Sequence, residues 1–506
     1  MFYIQNKNDL INKSILIVDG NPARYCLLKK THSMDESEPY RKMTFGERDT
    51  NKPHKTILMV GETGTGKTTL INVMINYMLG VQREDKVWFE ITDDQSDRTS
   101  VHSQTSIITV YGFYLQESPI HLTIIDTPGY GNTDGIYVDK QIAVSFCSLI
   151  KEEIHEVHAV CLVIMAHQHY LSDRQIYIFD AVQSLFGRDI AENIVMLFTH
   201  SDGRTPKNAL RVDEEAKIKS AVNDKKKPVY FLFDNCQSDA ADDEDEEDHE
   251  LRLNQSWNLS FTGMKQLLKF LDTILPKSLR MTRDVLQKRK QLEANINNLQ
   301  SLALEQNKEY VEENNSFEYE VEVPYKEKVD IDPSVASVAM CCTVCEENCV
   351  YPDSGWFRNL SWCSVMKNNH CTVCTNKCHY IKHVKAQIYV TKIKKEKRTF
   401  KDLKKEYYGM IRDRESLVKK LEEELQELEK EKIKLVNEAF HCVETLQMIA
   451  LKADSLITLQ HIDFLIEKMK EINEPEKAEI LENIKKKAGE EKQGALGFIK
   501  RIHKYF

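Results

Sequence analysis

Apolar and polar positions alternate through the first half of the chain in short blocks that read by turns as strands and helices. The clearest block spans residues 56–74. Ile57, Leu58, Met59 and Val60 predict a short buried strand, and an apolar-periodic run after Lys67 predicts a helix. Further strands are predicted at residues 107–113, 120–126, 157–165, 194–198 and 229–233. A helix is predicted over 173–185, capped by Ser172, with Ile176, Ile178, Phe179, Val182 and Leu185 on its apolar face. Residues 257–275 predict a closing helix. Strand and helix in alternation predict a doubly wound α/β domain with a mainly parallel sheet over residues 55–280. Ahead of it lies an extension, 1–54. Residues 14–18 and 25–28 predict a small hairpin or a mobile tail there, and residues 31–53 a polar loop.

The pattern changes after residue 280. Val285, Leu292 and Leu299 are seven apart, with Ile296 and Ala303 interleaved. Leu421, Leu428 and Leu435 repeat that period, with Val418, Leu425 and Ala439 interleaved and Lys432 interrupting. Both runs predict coiled-coil seams, over 281–315 and 396–446. Between them, residues 317–323 and 386–393 alternate with period two and predict strands. Helix, strand, Cys-rich segment, strand, helix is a palindrome. It predicts an antiparallel coiled-coil stalk whose strand pair leads to a small β and Cys-rich knob over 316–395; two independent coiled coils used for dimerisation is the alternative. In 447–506, Leu456, Leu459, Ile462, Leu465, Ile466 and Met469 form helical stripes, Pro475 breaks them, and 478–487 restarts. Residues 496–506 mix Phe498, Ile499 and Ile502 with Lys500, Arg501 and Lys504, which suits either a docked helix or contact with an acidic membrane surface.

Length and charge narrow the class. At 506 residues the chain exceeds one core, and 29% charged residues fit a long-helical part. A formal net charge of −10 argues against a general nucleic-acid binder. Asn8, Asp9 and Asn12 interrupt any apolar run near the start, so no secretory leader is expected, and no run approaches a membrane span. Eight of the 13 cysteines crowd between Cys341 and Cys378, and the others are scattered. That distribution predicts a reducing, cytoplasmic setting and a metal cluster rather than disulfides. The acidic block at residues 242–248 predicts a solvated loop.

The stretch Gly61-Glu-Thr-Gly-Thr-Gly66-Lys67-Thr68 is a phosphate-binding loop in its proper context, strand before and helix after. Gly61, Gly64 and Gly66 let the backbone turn its N–H groups inward at phosphate oxygens, and the helix N-terminus adds partial positive charge. Glu62, Thr63, Thr65 and Thr69 complete the cradle. Lys67 can reach the β- and γ-phosphates, and the Thr68 hydroxyl can ligate Mg²⁺. The strand at 120–126 ends in Asp126-Thr-Pro-Gly129. Asp126 at such a position holds Mg²⁺ through water, and Gly129 can offer its N–H to the γ-phosphate. A second Mg²⁺-ligating threonine is expected in 98–106: Thr105 is the first choice and Thr99 the alternative.

Thr199-His-Ser-Asp202 and Asp234-Asn235-Cys236 follow the last two strands, at the edge where a base would sit. A carboxylate at Asp202 accepts from guanine N1–H and N2–H₂ together, whereas adenine would leave it unpaired. Asn235 is placed to support the base. The competing reading of Asp202 is a surface turn.

Leu171-Ser-Asp-Arg-Gln175, Leu185-Phe-Gly187 and Ile194-Val-Met-Leu-Phe-Thr-His-Ser-Asp202 resemble the AIG1-type, immunity-associated GTPases, which lie near the septins and also use Thr-x-x-Asp for the base. Phe233-Asp234-Asn235 is similar to that family's Phe-Asn-Asn stretch. A further likeness, to AIG1-like G-domain proteins of fish, runs beyond the G domain into the Cys-rich and helical parts. The resemblance implies GTP/GDP and Mg²⁺ binding, slow hydrolysis and self-association through the G domain in the GTP state. One departure stands out: Tyr130 and Gly131 follow Gly129, so no glutamine is ready to orient water, and the hydrolytic residue is unassigned.

Cys342-Thr-Val-Cys345-x-x-x-Cys349 recurs 29 residues later as Cys371-Thr-Val-Cys374-x-x-x-Cys378. Paired C-x-x-C turns each present two thiolates to a tetrahedral ion, which points to structural zinc. Cys342, Cys345, Cys371 and Cys374 are the first-choice set. Cys349, Cys378, Cys363 and either His379 or His383 are candidates for a second. The sequence therefore predicts a GTP-binding switch with slow hydrolysis that assembles on itself. The alternatives are a GTP-bound scaffold whose stalk or knob recruits a protein partner, and an ATPase.

Overall fold

The structure is a computed structural model. It describes residues 7–12, 14–28, 30–31, 39–90, 107–116, 118–130, 136–168, 173–237, 246–306, 318–330, 338–353, 360–363, 365–385, 387–399 and 414–488. The chain folds as two compact units, Met1–Leu286 with Ile449–Leu456, and Gln287–Met448 with Ile457–Gly489.

The first unit runs α1 (Lys7–Asn12), β1 (Ser14–Val18), β2 (Ala23–Leu27), β3 (Lys30–Thr31), β4 (Tyr40–Gly46), β5 (His54–Gly61), α2 (Lys67–Met78), β6 (Val87–Glu90), β7 (Ile108–Tyr114), β8 (His121–Asp126), α3 (Ile136–Glu152), β9 (Glu156–Val157), β10 (Ala159–Met165), α4 (Asp173–Ser184), β11 (Ile194–Thr199), α5 (Lys207–Ala216), β12 (Tyr230–Leu232), α6 (Glu246–Thr273) and β13 (Lys277–Ser278). The main sheet has the order β12-β11-β10-β5-β8-β7-β4-β3. Strands β12, β11, β10, β5 and β8 are mutually parallel, and β7 returns antiparallel to β8. This is the P-loop GTPase fold with a mixed sheet. The central strands are apolar on both faces because helices cover both. One core packs Leu70, Val73 and Met74 of α2 and Leu267 and Leu271 of α6 against Ile57 and Met59. The other packs Phe146 of α3 and Val182 of α4 against Leu58 and Val60.

Residues 31–53 depart from the expected loop, and the sheet crosses the expected boundary at 54. Strand β4 lies parallel to β7 within the main sheet, and β3 pairs with it. The pattern hid this strand because it lies near the sheet edge. Only Met43 and Thr44 are buried, while Arg41 and Lys42 face outward, Lys42 paired with Glu153. The expected hairpin forms between β1 and β2, and β2 runs parallel to β6, which was not anticipated. Of the acidic block, Glu246–Asp248 opens α6 instead of lying in a loop. Carboxylates suit a helix's positive N-terminal end. Residues 238–245 lie outside the described residues, as do Ser172 and residues 496–506.

In the second unit, helix α7 (Arg280–Gln306, begun in the first unit) buries Leu292, Ile296 and Leu299 of its predicted seam. The later helix, Arg414–Ile449, buries Leu435 and Ala439 but leaves Val418 half exposed, so that predicted seam is buried only in its C-terminal half. Two strands, Glu318–Asp330 and Gln387–Thr399, pair antiparallel over their whole length, from Glu318↔Thr399 to Asp330↔Gln387. The Cys-rich segment between them folds into small sheets, Val338–Cys342 with Glu347–Asp353 and His383–Lys385, and Met366–Lys367 with His370–Cys371. Helices Leu456–Glu471 and Pro475–Lys487 are separated at residues 472–474, and Pro475 opens the second helix, three residues ahead of the expected restart. Among the described residues, no helix is long and apolar enough to cross a membrane.

Candidate functional site

Because β5, β8, β11 and β12 are parallel, their carboxyl ends deliver four loops to one edge of the sheet. The loop after β5 runs through Gly64 and Gly66 at φ 83° and 79°, the left-handed conformations that let it curl back above its own strand. Lys67 opens α2, and its Nζ donates to Gly61 O at 3.1 Å and Glu62 O at 2.9 Å. Burial lowers its pKa to about 8, although Asp126 and Glu62 pull the other way. The ammonium thus sits inside the ring of the loop, on the backbone oxygens that a phosphate would displace.

Thr68 Oγ1 lies 3.3 Å from Asp126 Oδ2, and Asp126 is fully buried at the end of β8. A neutral hydroxyl beside an acceptor-only carboxylate is a donor set for a hard cation. Mg²⁺ fits such a set, and Thr68 and Asp126 are the residues that would hold it. Thr127 Oγ1 donates to Met59 O at 2.9 Å and ties this turn to the central strand. Gly129 lies against the phosphate loop: a Cβ there would stand 2.5 Å from Thr63 Cα, so only glycine permits the approach. Next to it, Tyr130 N donates to Gly61 O at 3.0 Å and Thr63 N donates to Tyr130 O at 3.1 Å. The Tyr130 ring is buried, and burial pushes its hydroxyl well above the ordinary range. The residue standing where a water-orienting side chain was sought is therefore part of the core. Thr105 and Thr99 lie outside the described residues.

On the base side, Thr199 Oγ1 donates to Thr65 O at 2.8 Å, stitching the end of β11 to the phosphate loop. Asn235, buried after β12, donates through Nδ2 to Gly66 O at 3.3 Å. Asp202 is exposed; its Oδ1 accepts from Arg204 N at 2.9 Å. It thus forms the surface turn that is the competing reading to base recognition, on the loop after β11. The two uses are compatible, because a carboxylate carries more lone pairs than one backbone N–H consumes.

Two sets of residues at this edge were not singled out from the sequence. His200, held at φ 51°, brings its imidazole beside Gly66, with the His167 ring 6.2 Å away. Ser256, Ser260 and Gln237 secure the Asn235 loop. Ser256 Oγ donates to Asp234 O at 2.9 Å, Asp234 N donates to Ser260 Oγ at 2.9 Å, and Gln237 Nε2 donates to Ser256 O at 3.0 Å. The two serines are four apart, one turn of α6, and that spacing is their only sequence signal.

The cysteines group differently from the first-choice set. Cys342, Cys345, Cys374 and Cys378 converge, as do Cys349, Cys371, Cys374 and His383. Cys371 faces Cys349 rather than the first C-x-x-C turn, and Cys363 and His379 belong to neither group. No disulfide joins the described cysteines.

The AIG1 family model matches residues 55–255. Among solved structures, Toc33 from Arabidopsis thaliana with GDP and Mg²⁺ is similar at 16% identity and a TM-score of 0.31, covering 45% of this chain and 89% of that one. The same protein with Mg²⁺ and GMPPNP gives 14%, 0.31, 45% and 88%. Translation elongation factor SelB from Methanococcus maripaludis, with a GTP analogue, gives 13%, 0.25, 45% and 36%. Overlaps this loose carry no argument about function. No curated protein matches the chain. The phosphate loop, Asp126, Asp202 and Asn235 all lie within the match: residues 55–255 are similar to the AIG1 family.

Proposed function

We propose that the AIG1-family domain, a guanine-nucleotide-binding GTPase module, works as a slow switch that associates with itself in its GTP state. The observation that carries this is the convergence at one sheet edge of the Lys67 loop, the Thr68–Asp126 pair and the Asp202 and Asn235 loops. Lys67 and the loop N–H groups bind phosphate, Thr68 and Asp126 hold Mg²⁺, and Asp202 with Asn235 selects guanine. Magnesium would neutralise charge on the phosphates. Phosphoryl transfer depends mostly on positioning and charge stabilisation. Tyr130, directly after Gly129, is buried and does not offer its side chain to orient water, which supports slow turnover by a lone subunit.

The same burial of Tyr130 favours a second reading, a GTP-bound scaffold with little hydrolysis that recruits a partner elsewhere on the chain. Single-turnover hydrolysis separates the two. Nucleotide choice is tested by displacing a fluorescent GDP analogue: GTP should compete and ATP should not. Asp202→Asn should weaken guanine binding by tenfold or more, on the order of a lost charge-assisted pair, and favour xanthine nucleotides. Equal displacement by ATP and GTP sinks the guanine reading.

A further inference from the structure

We propose that the Cys-rich segment holds two zinc ions bridged by the thiolate of Cys374. Each of the two groups offers four ligand atoms lying within 4.8 Å of one another. Cys374 belongs to both, so the two groups contain seven residues in all: Cys342, Cys345, Cys378, Cys374, Cys349, Cys371 and His383. Two isolated tetrahedra need eight ligands, and two sharing a corner need seven. The set matches the second arrangement, with Cys374 as the corner.

The local geometry is that of metal-binding turns. At a Zn–S length near 2.3 Å, the sulfurs of a zinc tetrahedron stand about 3.8 Å apart. Cys345 Sγ and Cys378 Sγ are 3.7 Å apart. Backbone N–H groups point at the sulfurs: Cys345 N to Cys342 Sγ at 3.4 Å, Cys374 N to Cys371 Sγ at 3.4 Å and Cys378 N to Cys374 Sγ at 3.2 Å. Such bonds stabilise thiolate over thiol. Glu347 braces the turn after Cys374 by accepting from Thr375 N at 2.8 Å.

His383 supplies an independent observation. Its Nδ1 donates to His379 O at 3.2 Å, which leaves the lone pair on Nε2. That Nε2 is buried and has no hydrogen-bond partner among the described residues. An imidazole held at one nitrogen by a carbonyl, with the other aimed into a thiolate group, is the arrangement of a zinc ligand and its supporting shell. Six thiolates, one imidazole and two Zn²⁺ leave no position for water, so the site is structural.

Elemental analysis of the full-length protein, purified under reductant and passed over a weak chelator, should give two zinc per chain; one or none overturns the proposal. Cobalt substitution reads the bridge directly. The first Co²⁺ equivalent should raise a paramagnetic signal, and the second should diminish it by exchange through the shared sulfur. Two additive signals would mean separate sites and overturn the bridge. Cys342→Ser and Cys371→Ser should each retain about one zinc, whereas Cys374→Ser should retain less than one; a full equivalent held by Cys374→Ser would assign that residue to one ion only. The cobalt titration needs no variant, so a misfolded mutant leaves the test intact. GDP binding reports on the other site independently.

Discussion

Lys67 is a cation stored where water cannot reach it. Burial holds its pKa at about 8, so near pH 8 roughly half of the free protein carries it neutral. The depressed value means the charged form is penalised until an anion arrives. Nucleotide phosphates restore that charge, so binding should take up about half a proton at pH 8 and nearly a whole one at pH 9. Calorimetry of GDP binding in buffers of different ionisation enthalpy measures the uptake directly. Uptake that stays at zero from pH 7 to 9 would mean Lys67 is already charged in the free protein. Lys67→Arg, charged throughout, should lose the uptake if it still binds. At this scale much was legible: the phosphate loop is a local pattern, and so is the Asp at the end of β8. The cysteine grouping was not. The repeat shows which residues belong to turns, but which turns meet depends on strand register: Cys342 pairs across from His383, and Cys371 lies at the end of its own short strand.

Helix α6 shows how an element far from the phosphates reaches the site. Ser256 and Ser260 hold the Asp234 backbone, and Gln237 closes the loop that carries Asn235. Gly263, one turn further on, lets the helix come down on β12: a Cβ there would stand 2.2 Å from Leu232 O. Two effects compete in Gly263→Ala. Helix propensity favours alanine by about 1 kcal/mol. Overpacking against a backbone oxygen that cannot move aside costs about 1–3 kcal/mol, and at this separation the upper end applies. The net expectation is a loss of about 1–2 kcal/mol, read as a lower denaturation midpoint, with weaker GDP binding as the Asn235 loop shifts. A variant as stable as the parent would show that the contact relaxes freely. None of this was readable from the sequence, where Gly263 is a lone glycine in a helical pattern. Strand β4 was hidden for a related reason: next to the edge of the sheet, with Arg41 exposed and Lys42 paired to Glu153, it lacks the alternation that betrays half-buried strands.

At the scale of the molecule, the nucleotide-site domain has its own two cores, and the Cys-rich segment lies in a separate compact unit. Chelating zinc should therefore leave GDP affinity unchanged, and GDP should raise the melting temperature of one unit only. The catalytic question also belongs here. Tyr130 is buried, and under the proposed switch reading the groups that speed hydrolysis would come from a second subunit. A second G domain can supply them if loops ordered by the γ-phosphate form the contact. Gly129, packed on Thr63, ties one such loop to the phosphate site. Thr105, expected in the other loop as a Mg²⁺ ligand, would release that loop when the γ-phosphate leaves. Turnover per subunit should then rise with protein concentration, and Thr105→Ala should lose the rise while retaining GDP, which has no γ-phosphate for that loop to sense. Light scattering with GDP and with a non-hydrolysable GTP analogue should show the larger species only with the analogue. If turnover per subunit stays flat from dilute to concentrated protein and the GTP form remains monomeric, self-activation is wrong, and the module acts by holding GTP rather than by hydrolysing it.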